Sequence, residues 1–347
     1  MILKDYVQLS QIAIHQVGNK LDNGGIKLST ELIEIDDNIK NLLLKYFLSS
    51  FKDNVYYNFH HESDINLNEI YSYSRKIFGD PQKLFEQSIF IAKHLYEQSQ
   101  HPKIKGGELY IAYLKDCVVN GDTMDAVGIF KSETKESYIK VDSENNRFSI
   151  NSDEGIDINK LDKGCLIFGG DQDNGYIVAV VDNSGKGTDA QYWIDDFLHI
   201  RQRKDEYYNT QNVLSLCKNF VTKELPQQFE VSKADQADLL NKSVQFFKEK
   251  ETFNIDEFAN EVIAQPEVID SFNSYKSEYQ KERDIEIADS FTISESAVKK
   301  QSRILKSVIK LDKNFHIYVH GNNQYIKKGY DEETGLHYYQ LFFKEEQ

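Results

Sequence analysis

The chain has 347 residues, with 56 Asp and Glu against 41 Lys and Arg, for a formal charge of −15. With 40% hydrophobic and 28% charged residues it should fold around a sizeable core rather than stay disordered. The acidity argues against a protein that coats nucleic acid by overall positive charge, although phosphate contact needs only clustered Lys and Arg. Cys117, Cys165 and Cys217 are few, odd in number and far apart, which excludes a disulfide framework and argues against a zinc cluster. They read as buried thiols in a reducing compartment. The N-terminal residues carry no signal-peptide apolar stretch, and no apolar run reaches the ~18 residues of a membrane span. A soluble intracellular protein is expected.

In chain order, residues 7–17 read as a strand, and Asp22-Asn23-Gly24-Gly25 as a turn. Asp36 and Asp37 open a helical pattern in Ile39, Leu42, Leu43, Phe47 and Phe51. Two more helices are expected near 67–78 and 81–98, the second with Pro81 in its first turn. After Gly106-Gly107 the pattern turns to short strands at 109–114, 126–130, 138–141, 165–168, 176–181 and 190–193. Asn174-Gly175 marks a hairpin. From about 207 to 300 the pattern is helical, with faces such as Val213, Leu216, Cys217 and Phe220. One helix is expected to end near Pro266. A last strand group covers 315–319, 324–328 and 337–343, with turns at Gly321-Asn322 and Thr334-Gly335. Consecutive strands rather than alternating units indicate an α+β fold. It would comprise an α+β domain over 1–205, with an antiparallel sheet and packed helices, then a helical region with C-terminal strands over 206–347.

Charge is segregated. Residues 255–295 hold eleven acids and three bases, whereas 299–313 hold six bases and one acid. The bases at 299, 303, 306, 310 and 313 are three or four apart. If helical, they line one face and can track phosphates. The preceding Ile293-Ser294-Glu295-Ser296-Ala297-Val298 offers a Ser cap. The competing reading is a solvated cationic face that pairs with the acidic segment before it. Arg201, Arg203 and Lys204 form a smaller basic run. The many Tyr and Phe can serve as stacking platforms or, by default, as core.

Other motifs are weak. Ser184-Gly185-Lys186-Gly187-Thr188 evokes a phosphate loop, but Val180 occupies the position of its first glycine. Asp171-Gln172-Asp173-Asn174-Gly175 evokes a calcium loop with its glycine one place early. His60-His61 has no histidine partner at ligand spacing. There is no nucleophile elbow and no readable Cys/His pairing. No catalytic residue, metal or cofactor is therefore expected.

Several blocks resemble the bacterial nucleoid-associated protein family of the NdpA/YejK type, nearly end to end. They include Ile12-Ala13-Ile14-His15-Gln16-Val17 near the start and Ser88-Ile89-Phe90-Ile91-Ala92-Lys93-His94-Leu95-Tyr96 further on. More specific is Ala190-Gln191-Tyr192-Trp193-Ile194-Asp195-Asp196-Phe197-Leu198 with Asn209-Thr210-Gln211-Asn212-Val213-Leu214. The nearest block is Lys306-Ser307-Val308-Ile309-Lys310-Leu311-Asp312-Lys313-Asn314-Phe315-His316-Ile317, followed by Gly329-Tyr330-Asp331. The resemblance implies association with DNA and the bacterial nucleoid in the cytoplasm, and no enzymatic activity or cofactor. Two readings of 192–198 stay open. Its aromatics pack while Asp195 and Asp196 cap a turn, or the segment docks a protein partner.

Together these readings lead to a non-enzymatic nucleoid-associated protein that contacts DNA with weak sequence specificity. The contacts would come from Lys299, Lys300, Arg303, Lys306 and Lys310, with Arg201, Arg203 and Lys204 secondary. A homodimer would raise avidity. The alternative is an acidic adaptor for a DNA-processing enzyme or another nucleoid protein. A metal-dependent hydrolase or nuclease is a distant third.

Overall fold

In the computed structural model, the described residues are all except 1, 4–5, 53–54, 120, 145–146, 184–191, 304, 306–307, 313–314, 320–324 and 346–347. The chain divides into two compact units, Met1–Arg203 and Lys204–Gln347. The secondary structure is α+β, as the consecutive strands imply.

The first unit is built on an antiparallel sheet. Its strand order is Ile200–Gln202, Tyr56–Phe59, Ile177–Asp182, Lys163–Phe168, Asp122–Ser132, Gly107–Val119, Gln8–Val17 and Ile26–Lys27. Ile2–Leu3 also pairs with Gly107–Val119. The central strands read as continuous apolar runs because both faces are covered. Leu109, Ile111 and Tyr113 enter one core, and Tyr110, Ala112 and Leu114 the other. Cys165 and Ile167 against Leu166 and Phe168 repeat the alternation. Helices Glu69–Gly79 and Leu84–Gln98 supply the first layer. Helix Asp37–Leu48 supplies the second, with Phe47 stacked on Phe130 at a ring separation of 4.0 Å.

Local chemistry sets the helix starts. Asp36 accepts from the Ile39 N–H, Asn68 from Tyr71 and Asp80 from Gln82, so each start satisfies a donor that the helix leaves unpaired. At the hairpin marked by Asn174, Gly175 takes φ +90°, open to glycine at little cost. The loop evoking calcium is otherwise engaged. Asp171 accepts from Asn174 Nδ2 at 2.7 Å and from Arg203 Nη1 at 2.6 Å. The segment expected as a strand at 190–193 is instead, from Tyr192 to Leu198, a wide helical turn. Its Tyr192, Trp193, Phe197 and Leu198 are buried, and Asp195 and Asp196 are exposed. The packing reading therefore fits these aromatics, and Ala190, Gln191 and the loop 184–188 lie outside the described residues.

In the second unit, helices Glu206–Asn219, Lys233–Glu249, Pro266–Arg283 and Glu295–Ser302 surround a core containing Phe220, Phe247, Phe253, Phe258 and Phe272. Lys233–Glu249 starts with a reciprocal capping box between Ser232 and Asp235. The helical stretch from Ile255 to Ile263 ends just before Pro266, as expected, and Pro266 itself opens the next helix, because a proline at the first position removes only an N–H that would be unpaired. Two hairpins follow, Val308–Leu311 with Phe315–Tyr318, and Ile326–Asp331 with Leu336–Leu341. Ile309, Val319, Ile326 and Tyr339 pack against Ala234 and Ala237 of the Lys233–Glu249 helix. The expected turn at 321–322 lies outside the described residues. That at 334–335 is present, with Gly335 at φ +68°.

Candidate nucleic-acid interface

The basic run 299–313 is not one helix. Its first part is the end of Glu295–Ser302, capped by Ser294, whose side chain accepts from the Ala297 N–H at 3.4 Å. Ala297 and Val298 are buried, which turns Lys299, Lys300 and Arg303 outward. Glu295 occupies the first turn and puts a carboxylate where an anion would approach. The chain then re-forms as a strand, because Val308 and Ile309 suit a pleated surface and every second residue must reach the core. Ile309 is 1% exposed and Lys310 faces outward. The single helical stripe drawn from the spacing is therefore replaced by two short cationic faces. Lys306 and Lys313 lie outside the described residues.

The strand pairing adds side chains that helical spacing does not bring together. Lys310 lies opposite His316 and Val308 opposite Tyr318, so Lys310, His316 and Tyr318 share one face, each exposed. The alternation in Phe315-His316-Ile317-Tyr318 carries that signal. On the neighbouring hairpin, Tyr338 lies across Gly329, where a Cβ would come within 2.2 Å of its ring. Lys327 Nζ sits 5.5 Å from the centroid of the exposed Phe342 ring.

Four carboxylates of the acidic segment before this run are engaged elsewhere. Lys250 Nζ pairs with Glu257 at 2.6 Å and Glu261 at 3.0 Å, Lys276 with Asp289, and Lys204 with Glu286 at 3.2 Å. Among the described residues, Lys299, Arg303 and Lys310 form no salt bridge. Lys299 borders an open cleft of about 940 Å³ whose other charged walls are Lys248, Lys250, Glu249, Glu251 and Glu295.

The smaller basic run divides. Arg201 is exposed on the short strand opposite Asn58. Arg203 is committed to Asp171, whose carboxyl is held below the usual range by the hydrogen bond from Asn174 and then by that guanidinium. Lys204 belongs to the second unit and is taken up by Glu286.

A second group of charges has no signature in the sequence. Lys131 and Lys163 are fully buried in the sheet of the first unit. Lys131 Nζ lies 2.9 Å from Glu133 and donates to the Lys105 carbonyl at 2.6 Å. Lys163 Nζ contacts Asp182 at 2.9 Å and lies over the Tyr192 ring. Burial pulls the Lys131 ammonium below its ordinary pKa, against the opposing pull of Glu133. Elsewhere in the first unit, His60 and His61 each approach His199, at ring separations of 6.3 and 6.1 Å. Burial, then Arg201, lowers the His60 pKa. Among the described residues no group of three His, Cys, Asp or Glu can hold a metal. All three cysteines are buried thiols, and no described helix is long and apolar enough to cross a membrane.

The chain is an acidic α+β protein with exposed cations on a short helix and on the strand after it, among others. The family model described as nucleoid-associated protein YejK matches residues 13–335, and the chain belongs to that family. No curated protein matches the chain.

Proposed function

We propose that this chain is a non-enzymatic nucleoid-associated protein of the bacterial cytoplasm that binds DNA through local basic segments with weak sequence specificity. The observation that carries the reading is the pair of outward cationic faces, Lys299, Lys300 and Arg303 on one side of the helix end and Lys310 on the strand. Family membership supports the nucleoid association. Lys306, between Arg303 and Lys310 in the sequence, belongs to the proposed surface by sequence alone. Arg201 is the secondary contact best supported by its exposure. Arg203 and Lys204 already have carboxylate partners and would have to leave them. Phosphate contact displaces condensed counterions, so binding must weaken with salt. Nothing in the two faces resembles a helix shaped to read base edges, which is the basis for weak specificity. A homodimer would double the patches and raise avidity.

The test is duplex binding titrated against salt, with Lys299, Lys300 and Arg303 all changed to Glu. A lower salt slope and weaker binding in the variant are expected. Affinity insensitive to salt, or unchanged in the variant, overturns the surface. The charge of −15 favours one alternative, an adaptor that binds a basic DNA-processing enzyme or nucleoid protein. Absence of duplex binding at low salt, together with binding to such a partner, would select it.

A further inference from the structure

We infer that the hairpin Glu136–Glu144 with Arg147–Gly155 is a dimerisation arm whose apolar face packs against the same face of a second copy of this chain. The two strands form a two-stranded sheet of their own, and among the described residues no other strand pairs with either edge. The register puts Ile139 opposite Ser152, Val141 opposite Ile150 and Ser143 opposite Phe148. Ile139, Val141, Phe148 and Ile150 therefore lie on one face, where they are 72%, 60%, 75% and 72% exposed. Lys140, Asp142, Asn151 and Asp153 lie on the other face, with Tyr138. An amphipathic ribbon of this length has nothing of its own to bury its apolar side against, and a lone two-stranded hairpin is marginal in water.

The arm is nevertheless held firmly at its root. The buried Asp162 carboxylate accepts the Glu133 N–H at 2.7 Å, the Thr134 N–H at 2.9 Å and the Thr134 hydroxyl at 3.2 Å. Lys135 pairs with Glu108 at 2.9 Å. A fixed root presents the apolar face in one orientation, as an interface needs.

A second copy is the occupant that fits. The four side chains expose roughly 500 Å² of apolar surface, comparable to the largest patch on a typical monomer, which is often functional. Face to face, two copies bury about 1,000 Å² in total, the size at which a specific interface begins. One patch that covers itself across a two-fold axis needs no second surface to match it. Ser137, Ser143, Ser152 and Glu154 on the same face form a polar border. Charge argues against DNA as the occupant, since 136–155 holds five acids and two bases.

The arm interface makes no use of the proposed DNA surface, so the two can fail separately. The experiment is sedimentation velocity on the full chain, with Ile139 and Ile150 both changed to Lys. The wild type is expected at twice the chain mass and the variant at the mass of one chain, with an unchanged circular-dichroism spectrum. I139S/I150S replaces the lysine pair if that pair does not fold. The charge reversal K140E, on the opposite face, should leave the dimer intact. A wild type that stays monomeric at its highest workable concentration, apolar-face variants that remain dimeric, or loss of the dimer in K140E would each overturn the inference. A dimer that dissociates as expected but does not bind DNA would instead sink only the DNA reading.

Discussion

Lys131 and Lys163 in the first unit, and Lys299 and Lys310 in the second, are the same residue type in opposite circumstances. The first two are inside the sheet, within ~3 Å of carboxylates that neutralise them. The others face water with no carboxylate in contact among the described residues. A buried cation paired in this way is committed to structure and cannot meet a phosphate. An exposed one contributes little to stability and is available for binding. Positive charge therefore has to be located before it is counted, and the −15 of the whole chain says little about either group.

The largest effect that can test this contrast is the removal of one buried partner. Glu133→Gln leaves Lys131 without its nearest carboxylate, and loss of about 3–5 kcal/mol in denaturant unfolding is expected. The salt slope of duplex binding should not move at temperatures where the variant is folded. If stability is unaffected, the buried pair is not a structural element. Asp162→Ala comes next. It strands two backbone N–H groups at the arm root, and a loss of about 2–3 kcal/mol is expected by the same measurement.

The exposed group should behave in the reverse way. Reversing Lys299, Lys300 and Arg303 to Glu should change unfolding free energy by about 0.5 kcal/mol or less. It should reduce the magnitude of the salt slope by about one for each phosphate that the variant no longer engages. A large stability loss would place these bases among the structural charges and erase the contrast.

His15 adds a pH-dependent test within the first unit. Its Nδ1 accepts the Ser29 N–H at 3.2 Å and its Nε2 lies 2.9 Å from Ser88 Oγ, which itself donates to the Phe85 carbonyl. That arrangement requires the neutral ring, and burial lowers its pKa. The unfolded chain takes up the proton first as pH falls. Stability is therefore complete above the ordinary value of about 6.5 and declines below it until the folded ring also protonates. His15→Gln should flatten unfolding free energy between about pH 7 and 5, and an unchanged slope would remove His15 as the cause. A small effect is also expected from Lys204→Ala, whose pair with Glu286 is solvent-exposed. Less than about 1 kcal/mol should be lost, and less still at high salt.

Local chemistry made much of the fold legible. The caps at Asp36 and Ser294, the first-turn Pro81 and the glycine turns at 175 and 335 are short-range effects, so the residues that cause them are adjacent in sequence. The alternation of the central strands was readable as apolar, but their two-sided burial was not, since a continuous apolar run fits a covered strand or a buried helix equally. The same ambiguity made Tyr192-Trp193 look like a strand when it starts a helical turn. Half of the arm was missed for the opposite reason. Arg147–Gly155 is mostly polar, and only pairing with Glu136–Glu144 reveals it as a strand.

For the candidate site, the sequence by itself determined where the positive charge is concentrated, that the acidic stretch precedes it, and which family the blocks resemble. Those are properties of composition and order along the chain. Only the tertiary structure decided that the run bends from helix to strand, that His316 and Tyr318 join Lys310, and that Arg203 is already paired. It also decided that Lys131 and Lys163 are interior. Whether a lysine meets water or a carboxylate depends on residues that are close in space and distant in sequence. For Lys163, that contact depends on Asp182 across the sheet.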